Sequence, residues 1–512
     1  MSNTSVNNKR IAKNTLFLYF RTLLVMLVSL YTSRVILQTL GETDFGIYNI
    51  VGGVVVLFSF LNQAMATATQ RFLNFYLGKG DIDEVKRVFS TSMTVHISIS
   101  LLVILLSETI GLWFFYTQLN IPQDRFIAAF WAYQLSVLSC CLQIIRIPYN
   151  AAIIAYERMS FYAYVSIAEV LLRLGICYLL VIGSADKLIL YAILMSLVAF
   201  IVNIIYKVYC NKHYETTLYF LFWDSQLYKK LLSFSGWSLM GSAANVGANQ
   251  GVNILFNIFV GVVANAAMGI AQQVTSAVTS FTGSFQTAFI PQLVKSYSSG
   301  DKSYFEQLIF NTSRLSFFLI WIMGFPILMC IQPILELWLS DVPQYTAEFS
   351  SLYIIYCMID ACSNPLWNAV QAKGDIKKYQ MVMSAIIISN VIFGYILLIM
   401  GFSPITVVLV RVLLNFFQHL YRIYFLKHAI EFNVKKYMRD VMLPITYVVI
   451  LSIPLPMVAH QIMDGWYEHF FVFTISLFIA FTVVVAIGLK REEVSYMVLS
   501  LQNRYKRMNK AK

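Results

Sequence analysis

ATQRFLNFYLGKGD, residues 68–81, and AFIPQLVKSYSSGD, residues 288–301, align Ala68 with Ala288 and Gly80-Asp81 with Gly300-Asp301, an offset of 220. Each leaves an apolar segment, passes through polar and basic residues and turns at Gly-Asp towards the next apolar segment. A second match pairs Arg146-Ile147-Pro148-Tyr149-Asn150 with Asn364-Pro365-Leu366-Trp367-Asn368, the prolines lying 217 apart. Two weak matches at nearly one offset point to an internal duplication. Six apolar runs separate the copies, so both have the same orientation, and the expected form is two six-helix bundles about an axis along the membrane normal.

Composition sets the solvent. With 59% hydrophobic and 12% charged residues and a mean hydropathy of +0.69, the chain is too apolar for water. Thr15 to Leu40, Ser92 to Phe115 and Phe470 to Leu489 are each near or above the roughly 20 residues that cross a bilayer core. Fourteen such runs, from 14–38 to 469–489, predict an all-α polytopic membrane protein with two six-helix lobes, 1–210 and 211–430. Helices 13 and 14 in 431–489 and a basic tail at 490–512 complete it. Val494, Met497, Val498 and Leu501 make the tail an amphipathic, membrane-surface helix.

The net charge of +12 follows topology and calls for no nucleic acid partner. With the N-terminus inside, 29 Lys and Arg fall in inward segments and only Arg125 and Lys187 in outward ones. Both termini are therefore expected in the cytoplasm, with the first run retained as a helix. Seven cysteines lie in or beside apolar runs without metal-ligand spacing and read as packing residues. No cofactor, metal site, nucleotide loop or nucleophile elbow is called for. Asp81-Ile82-Asp83 has a metal-binding form, yet its repeat mate Asp301-Lys302-Ser303 lacks the second acid, so Asp81 and Asp301 are read as helix caps.

Six basic residues remain within or at the ends of spans: Arg21, Arg34, Arg146, Arg173, Arg411 and Arg422. All are arginine, the forked donor suited to phosphate or carboxylate. Each costs at least ~2.5 kcal/mol at mid-bilayer unless a partner or a wet cavity receives it. Arg21, Arg146 and Arg173 are the leading cavity candidates; Arg34 and Arg411 are as compatible with snorkelling, and Arg422 reads as an interface residue. The acids within spans are Glu108, Glu169 and Asp360. Glu169 and Arg173, four apart, share a helical face and are expected to pair. Asp360 is either an ion-coupling carboxylate or half of a cross-helix pair, and Glu169 is a second ion-coupling candidate. Asn245, Asn249, Asn253 and Asn257 draw a polar stripe on helix 7, whose Gly247-xxx-Gly251 permits close packing. Gln272 and Gln273 on helix 8, with Asn62 and Gln63 on helix 2, extend the polar faces, read as a wetted path. Pro148 and Pro365 are candidate flex points.

Arg10-Ile11-Ala12-Lys13-Asn14-Thr15, Tyr31-Thr32-Ser33-Arg34-Val35-Ile36-Leu37 and Leu40-Gly41-Glu42-Thr43-Asp44-Phe45-Gly46-Ile47-Tyr48 closely resemble polysaccharide flippases of the Wzx type. These are relatives of MATE exporters and MurJ lipid II flippases. The resemblance implies an alternating-access transporter whose helices 1, 2, 7 and 8 line a cationic cavity. Arg21 and Arg34 fit that picture, whereas helix 7 carries asparagines and no charge. The function so implied is translocation of undecaprenyl-pyrophosphate-linked oligosaccharide, as O-antigen, capsule or exopolysaccharide units, across the bacterial inner membrane. Arg21, Arg34, Arg146, Arg173, Arg411, Asn245, Asn249, Asn253 and Gln272 would bind substrate. Partners are the lipid-linked oligosaccharide, membrane lipids and further polysaccharide-assembly proteins. A MATE-like drug exporter is the alternative. A membrane polymerase or ligase is disfavoured, because the longest outer loop, Leu335 to Phe349, has no Lys, Arg or His; the chain is expected not to be an enzyme.

Overall fold

Apolar runs this long satisfy their backbone only as helices. The computed structural model describes residues 3–56, 59–117, 119, 121–182, 186–222, 224–339, 342–462 and 467–489, and among them there is no strand. Its principal helices are α1 (Asn3–Val56), α2 (Ser59–Lys79), α3 (Ile82–Leu106), α4 (Phe126–Ala155), α5 (Met159–Ile182), α6 (Lys187–His213) and α7 (Ser225–Phe259). There follow α8 (Val262–Ser298), α9 (Lys302–Met329), α10 (Thr346–Lys373), α11 (Lys377–Ile399), α12 (Pro404–Ile430), α13 (Leu443–Ser452) and α14 (Glu468–Val483). The basic tail and the side chains of Arg34, Asn62 and Gln63 lie outside the described residues.

Ten segments are long and apolar enough to cross a membrane, which makes this a multi-pass membrane protein. The four principal helices that do not reach that apolarity are α2, α7, α8 and α10, three of which carry the polar faces read from the sequence. Between the first two predicted spans the helix breaks at Gly41, with φ 79° and ψ 168°, a backbone only glycine adopts readily.

The internal repeat is written in the backbone. Gly80 and Gly300 both have positive φ, 74° and 79°. Gly80 N donates to Leu77 O and Asp81 N to Tyr76 O, while Gly300 N donates to Tyr297 O and Asp301 N to Ser296 O. These are two helix-ending glycine turns in the same register, 220 apart. Asp81 then accepts from Glu84 N at 3.1 Å and Asp301 from Tyr304 N at 3.0 Å, each capping the next helix as expected.

By contacts the chain divides into two compact units that cut across the predicted lobes. One comprises 1–246, 287–305 and 370–384, and the other 247–286, 306–369 and 385–512. In the first, α4 and α6 run parallel. Ser196 Oγ donates to Leu135 O, Asn203 Nδ2 to Leu142 O and Cys210 Sγ to Tyr149 O, at a constant offset and in steps of seven. Against them pack Ala128, Ala129, Ala132, Tyr133 and Val137 of α4 with Val103 of α3 and Phe115 beyond it. At the π-turn Ser107–Gly111, Tyr133 Oη donates to Ser107 O at 2.8 Å, and a Cβ on Gly111 would meet that hydroxyl.

The second unit is built on Val252, Leu255 and Phe256 of α7, Ala264, Ala267 and Ala271 of α8, Phe349 and Tyr353 of α10, and Val407 of α12. A Cβ on Gly251 would lie 2.8 Å from Val391 Cγ2, so this glycine admits α11, whereas Gly247 faces open space; the expected close-packing pair reduces to Gly251. The last pair belongs here too: a Cβ on Gly488 would strike Phe318 of α9, and Cys330 Sγ contacts His469 O.

Candidate functional site

Three of the predicted arginines converge in the first unit. Glu169 on α5 accepts Arg146 Nη1 of α4 at 3.1 Å through one oxygen and Arg173 Nη2 at 2.6 Å through the other. The i,i+4 pair expected from the sequence is therefore a triad. Arg21 of α1 lies over the Tyr162 ring at 4.7 Å, and its Nε is buried without a hydrogen-bond partner among the described residues. Arg146 lies over Tyr206 at 5.5 Å, and Tyr206 is within electrostatic reach of Arg21 and Glu169. Two guanidinium groups thus share one carboxylate, a formal surplus of one positive charge among the described residues, and Arg21, on the Tyr162 ring, makes no ion pair with that carboxylate. A surplus cation inside membrane helices calls for an anion or for water.

The second unit holds a smaller counterpart. Arg411 of α12 donates to Asn249 Oδ1 of α7 at 2.6 Å and lies 5.2 and 5.3 Å from the Tyr353 and Tyr356 rings of α10. It packs inward on neutral partners, which removes the snorkelling reading. Arg422 is buried and faces Asp360 at 3.8 Å, so the interface reading of Arg422 is corrected and Asp360 is half of a cross-helix pair. Asn364 Nδ2 also donates to Asp360. The asparagine stripe divides. Asn245 is exposed, belongs to the first unit and bonds back to Gly241 O, Asn249 holds Arg411, and the Asn253 carbonyl accepts from Asn265. Gln272 is half-buried on α8, with its carbonyl occupied by Ser276. Pro148 and Pro365 both lie inside their helices, each depriving one carbonyl of its helical donor.

A further arrangement, at the end of the first unit that carries the Gly-Asp turns, was not legible from motif reading. Glu157 follows α4 in left-handed conformation, φ 59°, with its carboxylate wholly buried. It accepts Gln292 Nε2 at 2.7 Å to both oxygens and Lys295 Nζ at 2.7 Å, and forms an ion pair with Arg10 Nε at 3.3 Å. Lys295 also donates to Ala155 O, the last carbonyl of α4, at 2.6 Å. Burial lowers the Lys295 pKa, and Glu157 opposes that shift.

Shifting by the repeat offset of 217 carries Ala155 to Ala372 and Glu157 to Gly374. There Arg71 of α2 donates through Nη2 to Ala372 O at 3.0 Å and through Nε to Gln371 O at 3.2 Å, the free carbonyls ending α10. Gly374 has φ 91°, the conformation Glu157 adopts in the other copy. In each copy, then, the end of the fourth helix is held by a cation from the second helix of the other copy. The two second helices meet as well: a Cβ on Gly78 would collide with Ser298 Oγ and Lys295 O, and Gly78 and Ser298 are equivalent positions, 220 apart. Equivalent residues in mutual contact lie on the axis relating the copies. We call these contacts the Glu157 latch and the Gly374 latch. Arg71, counted from the sequence as a loop charge, is buried against the faces of Phe72, Phe75 and Phe234, and burial lowers its pKa to about 10. Arg314, counted likewise, is buried in α9.

At the loops of opposite charge balance, Arg125 is held by Asp44 at 2.6 Å and Asp186 at 2.5 Å. One of the two cations expected in outward loops is thereby ion-paired.

The MatE family model matches residues 238–396. An outward-facing multidrug resistance MATE family transporter of the MOP superfamily superposes with TM-score 0.70 at 11% identity, over 84% of this chain and 98% of that one. A mutant of the Vibrio cholerae MATE transporter VcmN gives 0.68 at 15%, over 84% and 99%. A Pyrococcus furiosus MOP superfamily transporter, described as having a binding pocket of reverse polarity that suggests a different function, gives 0.69 at 11%, over 84% and 98%. No curated protein matches the chain. The fold is that of MATE transporters.

Proposed function

We propose that this chain is a flippase that carries undecaprenyl-pyrophosphate-linked oligosaccharide from the cytoplasmic to the periplasmic leaflet of the bacterial inner membrane by alternating access. The observation that carries the reading is that Arg146 and Arg173 share the single carboxylate of Glu169, the one acid paired with them among the described residues, with Arg21 on the Tyr162 ring as a further cation of the same unit. A diphosphate supplies the missing negative charge, and guanidinium forks match its oxygens. Arg411, hydrogen-bonded to Asn249 and flanked by two tyrosines, offers a second cation with no carboxylate in ion-pair contact among the described residues. Asn253 and Gln272 supply amides suited to sugar hydroxyls. A groove of about 590 Å³ lined by Leu455, Val458, Ile462, Ile475 and Phe478 has the apolar character an isoprenoid tail needs. In this reading the two latches seal the cytoplasmic end between strokes, and Asp360 is the coupling carboxylate, released from Arg422 when it takes a proton or cation.

The likeness to multidrug MATE transporters favours a second reading, export of a small molecule on the same fold. Charge separates the two: a carrier of organic cations needs surplus acid along its path, and both clusters here have surplus base. Binding to the purified protein tests this. Undecaprenyl pyrophosphate is expected to raise the melting temperature of the native chain, with apparent affinity falling at least tenfold in Arg146→Ala and in Arg21→Ala. Stabilisation by organic cations, with none by the pyrophosphate lipid, would make the chain an exporter of cations.

A further inference from the structure

The Gly374 latch opens onto a cavity of about 500 Å³ lined by Arg71, Lys229, Lys230, Lys373, Lys377, Asp375, Phe234 and Trp237. Five cations and one carboxylate line this space, and among the described residues none of the five forms an ion pair. This is unusual for the protein itself, since Lys295 and Arg10 at the other latch converge on Glu157. The cavity is also built. Arg71 is fixed by two carbonyls and the Phe72 and Phe75 rings, and the Lys377 ammonium lies 5.3 Å from the Trp237 ring. Glycine at 374 leaves room for Arg71, because a Cβ there would collide with Arg71 Nη2. Lys229 and Lys230 sit in the first turns of α7, Lys373 ends α10 and Lys377 begins α11, so the charges come from three helix ends around one hollow. Lys229, Lys230 and Lys377 are exposed and Lys373 is half-buried around the buried Arg71, so the hollow is open and positively charged, a field that attracts a small polyanion.

We propose that this cavity is a binding site for a phosphoryl group, carried on a mono- or diphosphate ester or present as the free ion. Arg71 supplies the planar fork and the four lysines supply mobile point charges, a division of labour suited to the several oxygens of a phosphate. The site is separate from the Arg21, Arg146 and Arg173 cluster, sharing no residue with it, and its existence does not depend on what the protein translocates.

The test uses the full chain in phosphatidylcholine nanodiscs, titrated with sodium pyrophosphate by calorimetry at low ionic strength. A parallel arm adds phosphatidylglycerol and measures retained lipid by native mass spectrometry. Pyrophosphate is expected to bind saturably to the native chain. It should bind at least tenfold more weakly to Lys229→Gln/Lys230→Gln and to Lys373→Gln/Lys377→Gln, with affinity kept in Lys373→Arg/Lys377→Arg and in the remote control Lys86→Gln/Lys212→Gln. Melting temperatures verify that each variant is folded. Retention of phosphatidylglycerol that is lost in the same two doubles, without binding of free pyrophosphate, supports the site and assigns its ligand to a lipid headgroup. If neither probe binds, or if the glutamine doubles bind as the native chain does, the proposal is overturned.

Discussion

The two latches occupy equivalent places in the repeat and solve the same problem with different chemistry. At Ala155 the cation is Lys295, and a buried carboxylate accompanies it; at Ala372 the cation is Arg71, and glycine stands where that carboxylate would be. The first supplies its two cations with a carboxylate by accepting a strained residue. Glu157 occupies the left-handed region, where a side chain costs about 1–2 kcal/mol, in exchange for ion pairing of a wholly buried carboxylate. The second avoids the strain, relies on carbonyl dipoles and aromatic faces, and leaves its lysines uncompensated beside a cavity. One latch carries its own acid; the other leaves room for an anion from outside the chain.

Breaking the Glu157 latch should have the larger effect. Glu157→Ala leaves Lys295 and Arg10 without their acid, and removal of one partner of a buried pair costs about 3–5 kcal/mol, read as a fall in thermal stability of the purified protein. Arg71→Gln leaves no buried charge unpaired, and the glutamine amide can still donate to one of the two carbonyls, so about one charge-assisted bond, about 1.5–3 kcal/mol, is lost and the melting temperature should fall less. Gly374→Ala sharpens the comparison by imposing on the second latch the backbone cost of the first, about 1–2 kcal/mol, together with a clash against Arg71. Equal losses for Glu157→Ala and Arg71→Gln would erase the distinction between the latches.

The Arg125 cluster at the other loops gives the smallest effect and a calibration. Burial raises the Asp186 pKa, but hydrogen bonds from Arg125 and from the Ile189 and Leu188 amides outweigh it and leave the group below its ordinary 3.8. A carboxylate with a lowered folded pKa contributes stability above its unfolded value and loses it as pH falls through the folded one. Arg125→Ala should therefore cost about 1 kcal/mol or less at pH 7, and that cost should shrink as pH falls from 3.8 through the lower folded value, as melting curves at neutral and acid pH would show.

Membrane character, helix register and the duplication were legible because each depends on local sequence: apolar length, Gly-Asp turns and prolines in register. The Glu169 triad was half legible. The Arg173 partner lies four residues along one helix, whereas Arg146 comes from another helix and carries no local signal. The latches were not legible from motifs, because Arg71 and Lys295 look like ordinary loop cations and Glu157 like an ordinary loop acid. One signal was available: extending the proline match by nine residues sets Glu157 against Gly374, and a position held by glycine in one copy suggests positive φ in the other. Arg422 was misread because its acid, Asp360, sits on a helix distant in sequence.

The most direct measurement is translocation of labelled undecaprenyl-pyrophosphate oligosaccharide in proteoliposomes, run beside an organic-cation export assay on the same preparation. The account predicts glycolipid movement by the native chain, reduced at least tenfold in Arg146→Ala, and no cation export. Cation export with no glycolipid movement would contradict it.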